Sequence, residues 1–297
     1  MDAQALPATR PVWPSVLLEL TKFRISAVST LSAATGYAAF RHGLDRGLAT
    51  LLAGTLLMAM AASALNEVQE WRSDARMERT RHRPIPRGAV TPAAGAGFAL
   101  ALGATGFLLL LAAHGWPTAL LGLLALGWYN GLYTPLKRVS AFAVVPGSII
   151  GALPPAMGWA AAGGSLGDPA ALALCFFFFI WQVPHFWLLA LLHRKSYEEA
   201  GLPTLHRHFT EAQILRLIFT WTCATAASCA LLPAFALTRG LGALVLLGTA
   251  CLWLVARFAS LLRSGPRPRP VRGAFMAINL YLLFVMLVLV LGATWWS

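Results

Sequence analysis

Stretches long and apolar enough to cross a lipid bilayer recur along this chain, at about 16–40, 48–66, 92–113, 116–133, 141–162, 170–192, 213–236, 241–262 and 274–296. That pattern predicts an all-α, polytopic membrane protein with nine transmembrane helices, because hydrocarbon offers backbone groups no water and these segments lack the period-two alternation of barrel strands. Of 297 residues, 58% are hydrophobic and 11% charged, which excludes a soluble globular domain. A short N-terminal segment, 1–15, and one membrane domain, 16–297, describe the organisation.

The net charge of +12 would suit nucleic acid, but its distribution points elsewhere. With nine crossings, 20 of the 23 lysines and arginines fall on one side, leaving only Arg41, Arg46 and Arg239 opposite. The positive-inside rule then puts the N-terminus in the cytoplasm and the C-terminus, with Trp295 and Trp296, outside, in the cell's inner membrane. The opening residues carry no cleavable signal pattern, so the first span is expected to serve as its own insertion signal. Cys175, Cys223, Cys229 and Cys251 lie inside spans without metal-ligand spacing and read as packing residues. The proline-rich RSGPRPRPVRG near the C-terminus reads as an extended linker facing lipid headgroups.

Seven of the eleven acids gather in two cytoplasmic connections, which suggests two halves meeting over a central polar chamber open to that side. In NEVQEWRSDARMERTRHRPIP, residues 66–86, Glu67, Glu70, Asp74 and Glu78 are spaced to stack along one helix face, with Asn66 a turn before Glu70. Four like charges in line repel unless a cation neutralises them, and hard oxygens presented so sparsely suit Mg²⁺ shared with water and a phosphate. Arg79, Arg81, Arg83 and Arg87 follow, able to take the remaining phosphate oxygens. Topology alone would explain the arginines but not the acids, nor a polar amide at the end of an apolar span.

Three further segments carry weight. YNGLYTPLKR, 129–138, places tyrosines and two cations at a membrane interface, which topology alone could also produce. GALPPAMGW, 151–159, has adjacent prolines expected to break the backbone ladder, as in a helix lining a cavity or one kinked for packing. WQVPHFWLLAL sets Gln182 and His185 among Trp181, Phe186 and Trp187, flat walls suited to a planar ring or a stabilised cation. His185 reads as a ligand to iron, a donor to an anion, or a satisfied structural histidine.

In this order, the acid stripe with MERTRHRP, YTPLKR, GALPPAMGW and WQVPHFWLLAL resemble the heme-farnesylating branch of the UbiA-type intramembrane prenyltransferases, over about Lys22 to Pro203. The resemblance implies farnesyl diphosphate and heme b (protoheme IX) as substrates and heme O as product. It also implies Mg²⁺ as cofactor, the bilayer as surroundings, a heme A synthase or oxidase-assembly proteins as neighbours, and no nucleic acid. It assigns Asn66, Glu70 and Asp74 to the metal, and Arg79, Arg83 and Lys137 to the departing diphosphate. Tyr133 and His185 go near the reacting centre, and Arg138, Trp181, Gln182 and Trp187 to substrate binding. The chain departs from the family pattern at Glu70, where Asp is usual, at Lys22–Phe23–Arg24, and between Ser196 and His206. Prenylation of another ring, a quinone precursor or a chlorin, is the second reading, although the second aspartate-rich motif usual there is missing. An anion transporter is the third, but an acid stripe would repel its solute.

Overall fold

The computed structural model describes residues 13–43, 45–264 and 268–295, so Arg10, Arg267 and Trp296 lie outside the described residues. All its regular structure is helical. Following α1 (Trp13–Leu20) come α2 (Phe23–Arg41), α3 (Arg46–Asp74), α4 (Pro92–Gly127), α5 (Ile149–Ala161), α6 (Pro169–Leu192), α7 (Glu211–Cys229), α8 (Leu241–Ser264) and α9 (Pro268–Trp295).

The helix starts follow from local chemistry. Asp45 accepts from the Gly47 N–H at 2.8 Å, Thr91 and Asp168 cap α4 and α6 ahead of Pro92 and Pro169, and Thr210 forms a reciprocal capping box with Gln213. Each side chain satisfies a donor that the first helical turn leaves free, and proline costs nothing where no N–H is needed.

Seven helices among the described residues are long and apolar enough to cross a membrane, against the nine expected. Two places account for the difference. One is α2, whose serines, threonines and terminal arginines keep it out of the count. The other is the stretch Pro92–Leu136, which counts once but is interrupted at Gly115 (φ 77°, ψ −177°), two residues before Pro117. Leu110 meets Gly122 and Leu126 meets Gly103, so the two arms of α4 fold back on each other as an antiparallel hairpin.

Neighbouring helices form a closed ring from α3 through α9, with α2 completing it between α9 and α3 and crossing α5. Small residues allow the close approaches. A Cβ on Gly36 would sit 2.0 Å from the Pro155 carbonyl oxygen, and one on Gly158 would sit 1.9 Å from that of Ala33. Gly54 and Gly106 similarly bring α3 onto α4. The four cysteines are free thiols.

The backbone through YNGLYTPLKR is helical: Trp128–Tyr133 is π-helical and Thr134–Leu136 continues as helix. Two local expectations need correction. Adjacent Pro154 and Pro155 do not break α5, which is continuous from Ile149; turns lie just before it, between Val139 and Ser148, around one short helical stretch, Val144–Gly147. The C-terminal proline-rich stretch is not an extended linker beyond Pro268, because Pro268 and Pro270 occupy the first turn of α9, where their missing N–H groups cost little.

Candidate active site

One face of α3 sets the site. Beyond the apolar run, Glu67, Gln69, Glu70 and Arg72 are good helix formers, and the helix continues two turns past the expected span end. Asn66, Glu70 and Asp74 share that face and are each buried. A cavity of about 380 Å³ opens beside them, with Lys22, Arg79, Arg83, Lys137, Tyr129 and Tyr133 also on its wall.

The polar end is a dense array of opposite charges. Lys22 Nζ donates to Asn66 Oδ1 at 2.8 Å, and Asn66 Nδ2 donates to Glu70 Oε2 at 3.0 Å and to Thr134 Oγ1 at 3.1 Å. Lys137 Nζ donates to the same Glu70 oxygen at 2.7 Å, and Arg83 donates to Asp74 Oδ2 at 2.7 Å. These bonds leave Glu70 Oε1 and Asp74 Oδ1, one helical turn apart, without a protein donor among the described residues.

The donor set fits Mg²⁺. Two carboxylates with free oxygens and one amide oxygen make a hard, partial shell, which suits an ion that keeps water and substrate phosphate among its ligands. Among the described residues no three His, Cys, Asp or Glu side chains converge on a point, so a complete protein cage is not on offer. Asn66, Glu70 and Asp74 are the residues that would hold the ion.

The expected four-acid stripe reduces to two. Glu67 is fully buried and accepts from the Ile85 N–H at 3.0 Å, pointing away from the cavity, while Glu78 follows the helix end on an exposed turn. Glu67 therefore anchors the arginine-rich segment. Thr80 donates to the Asp74 carbonyl and Arg87 pairs with Glu19, so the segment folds back over α1 and α3 and presents Arg79 and Arg83 to the cavity.

The π-helical turn phases a second wall. With one extra residue in the turn, Tyr129 and Tyr133 stack at 5.8 Å, Tyr133 stacks on Phe186 at 5.8 Å, and Lys137 Nζ lies 5.5 Å from the Tyr133 ring centre. Such turns concentrate at functional sites because they re-aim side chains out of helical register. Gln182 and Trp187 from α6 complete this side. The Trp187 indole N–H is buried, without a hydrogen-bond partner among the described residues, and its ring stands edge-on to Trp221 at 5.9 Å.

His185, Trp181 and Arg138 are not on the cavity wall. The His185 ring lies between Trp181 (4.8 Å) and Phe275 of α9 (5.0 Å), and Trp181 donates to the Ile278 carbonyl. They tie α6 to α9 behind Phe186. Arg138 donates to the Gln69 carbonyl and braces the end of α3.

Lys22 and the 197–205 segment stood out in the sequence only as departures from the family pattern, without an assigned role. Lys22 is 44 residues from its partner Asn66. Tyr197 and Leu202–Leu205 cover the cavity from the connection after α6. Burial raises the Tyr197 phenol above its ordinary pKa, only partly offset by Arg79, so it stays a hydrogen-bond donor near neutrality. Away from these charges the cavity is lined by Met58, Ala59, Ala62, Gly122, Pro154 and Met157, so it passes from a charged end to an apolar one.

The sequence profile of the UbiA prenyltransferase family matches residues 26–281. The chain is 38% identical over 276 residues to protoheme IX farnesyltransferase of Oleidesulfovibrio alaskensis, covering 91% of this chain and 94% of that one. It is 37% identical to the enzyme of the same name from Anaeromyxobacter sp. strain Fw109-5, covering 98% of both. Among solved structures, a digeranylgeranylglyceryl phosphate synthase superposes with a TM-score of 0.74 at 14% identity, covering 94% of this chain and 98% of that one. A UbiA homologue from Archaeoglobus fulgidus bound to GPP and Mg²⁺ gives 0.67 at 13%, covering 92% and 99%. The fold and the matched profile define the class: this chain belongs to the UbiA prenyltransferase family of membrane-embedded transferases. Within that family it groups with the protoheme IX farnesyltransferases.

Proposed function

We propose that the protein transfers the farnesyl group of farnesyl diphosphate to a vinyl side chain of heme b, giving heme O. The observation that carries this reading is one cavity that is charged where α3 ends and apolar below, in a chain of this family.

The diphosphate lies at the charged end, against Lys22, Arg79, Arg83 and Lys137, with Asn66, Glu70 and Asp74 holding Mg²⁺. Bound there, the ion supplies Lewis-acid stabilisation of the leaving diphosphate. The protein's own cations share that task, since fixed donors aimed at developing charge need no reorganisation during the reaction. As the allylic C–O bond breaks, the stacked Tyr133 and Phe186 shield the carbocation and their faces stabilise it. A C–C bond forms to the terminal vinyl carbon; water adds its oxygen to the inner carbon and releases a proton.

Heme b enters against Tyr133, Gln182 and Trp187. His185 supports this wall from behind. Nine crossings, counting α2 and both arms of α4, put the N-terminus and the charged end of the cavity in the cytoplasm and the C-terminus outside, in the inner membrane. Membranes containing the protein, given heme b, farnesyl diphosphate and Mg²⁺, should yield chelator-sensitive heme O by chromatography and mass spectrometry. A folded preparation yielding none would refute the reading.

A further inference from the structure

On α3 the residues lining the cavity descend from Asn66 through Ala62, Ala59 and Met58 to Thr55. At about 1.5 Å per helical residue, Asn66 to Thr55 spans roughly 16 Å. An extended isoprene unit adds about 5 Å, given single bonds of about 1.5 Å, so three units match that distance and a fourth exceeds it.

At that depth three helices meet over one glycine. A methyl group on Gly122, in the second arm of α4, would lie 3.2 Å from Leu110 Cδ1, 3.3 Å from Met157 Cε and 3.5 Å from Met58 Cγ. Met58 and Met157 are 4% and 1% exposed, so both are packed from behind. Thr55 adds a buried hydroxyl without a hydrogen-bond partner among the described residues, a poor neighbour for more hydrocarbon.

Resting on the prenyl-transfer reading, we infer that Met58 and Met157, meeting across Gly122, form the end wall that fixes the donor at fifteen carbons, and that Ala59 and Ala62 keep the path above it clear. Chain length is thus set by side-chain size at the end of a helical ruler. Methionine suits such a wall because its unbranched side chain fills an irregular end closely.

The test uses non-reacting thiolodiphosphate analogues of the C10, C15 and C20 donors, so that binding is read without the acceptor. The full-length protein in detergent is titrated with each in Mg²⁺. Wild type should bind C15 most tightly. The double variant Met58→Ala/Met157→Ala should raise the C20:C15 affinity ratio at least about tenfold, the scale on which apolar pockets discriminate by size. Ala59→Phe should shift preference toward C10 by a similar factor. Variants that bind C15 as wild type does, with both ratios within about twofold of it, would overturn the inference. The same set is then run with C10, C15 and C20 diphosphates and heme b. Absence of prenylated heme from wild type with every donor would sink the acceptor reading, while the binding series still decides the ruler.

Discussion

Replacing Arg83 with Met separates the proposed metal-binding role of Asp74 from its role in an ion pair. Arg83 reaches Asp74 at 2.7 Å with 19% of its own side chain and 2% of the aspartate's exposed. Deleting one partner of a buried pair leaves an uncompensated charge, at a cost of about 3–5 kcal/mol; because the arginine is partly solvated, about 3 kcal/mol is expected without metal. For a chain this large, at roughly 2 °C per kcal/mol, melting falls by about 6 °C. The freed carboxylate then gains in affinity for the cation. Mg²⁺ at a hundred times its dissociation constant contributes about 2.7 kcal/mol, nearly cancelling the loss. Thermal unfolding in detergent, with Mg²⁺ and with chelator, should therefore show a larger Mg²⁺ shift for Arg83→Met than for wild type and almost none for Asp74→Asn. Equal Mg²⁺ shifts in all three proteins would refute the placement of the ion at Asp74.

Glu67→Gln should retain heme-prenylating turnover within about threefold, since Gln still accepts from Ile85, whereas Glu70→Gln should lose at least 10²-fold, the scale of a removed transition-state electrostatic contact; initial rates compare them. Tyr133→Phe keeps both ring stacks and should stay within about threefold of wild type, while Tyr133→Ala removes a cation-facing wall worth about 2 kcal/mol and should slow turnover roughly thirtyfold with premature hydrolysis to farnesol, seen by gas chromatography. Gly158→Ala must part α2 and α5 by more than 1 Å to clear the Ala33 carbonyl, costing about 3 kcal/mol. Gly36→Ala needs the same separation, so the double variant should melt well above the sum of the two losses.

Most helices were legible because their signals are local: an apolar run, an N-cap and a proline at the first position for α4 and α6. Asn66, Glu70 and Asp74 were legible for the same reason, since helical spacing alone stacks them. Glu67 was not separable from them, because its partner, the Ile85 N–H, depends on how the following segment folds back. Lys22 and Tyr197 join the cavity only through tertiary closure. His185 stood in a suggestive motif, but which way its face of α6 turns is set by α9, some ninety residues later. The π turn at Trp128–Tyr133 has no periodicity signal of its own. The prolines of α5 misled because helix breaking is weighed against packing, and the Pro155 carbonyl is held against Gly36.

The polarity of α2 also bears on how the molecule is made. Leaving the ribosome, FRISAVSTLSAATGYAAFR carries hydroxyls and terminal charges that keep it below the hydropathy of the seven counted spans. Its close partner across Gly36 and Gly158 is translated more than a hundred residues later. The first crossing, inserted on its own signal, therefore pairs with α3 first and has its glycine face covered only when α5 arrives. Lys22 and Asn66 are brought together early by that pairing, but the cavity they head is sealed only when the later helices close round it.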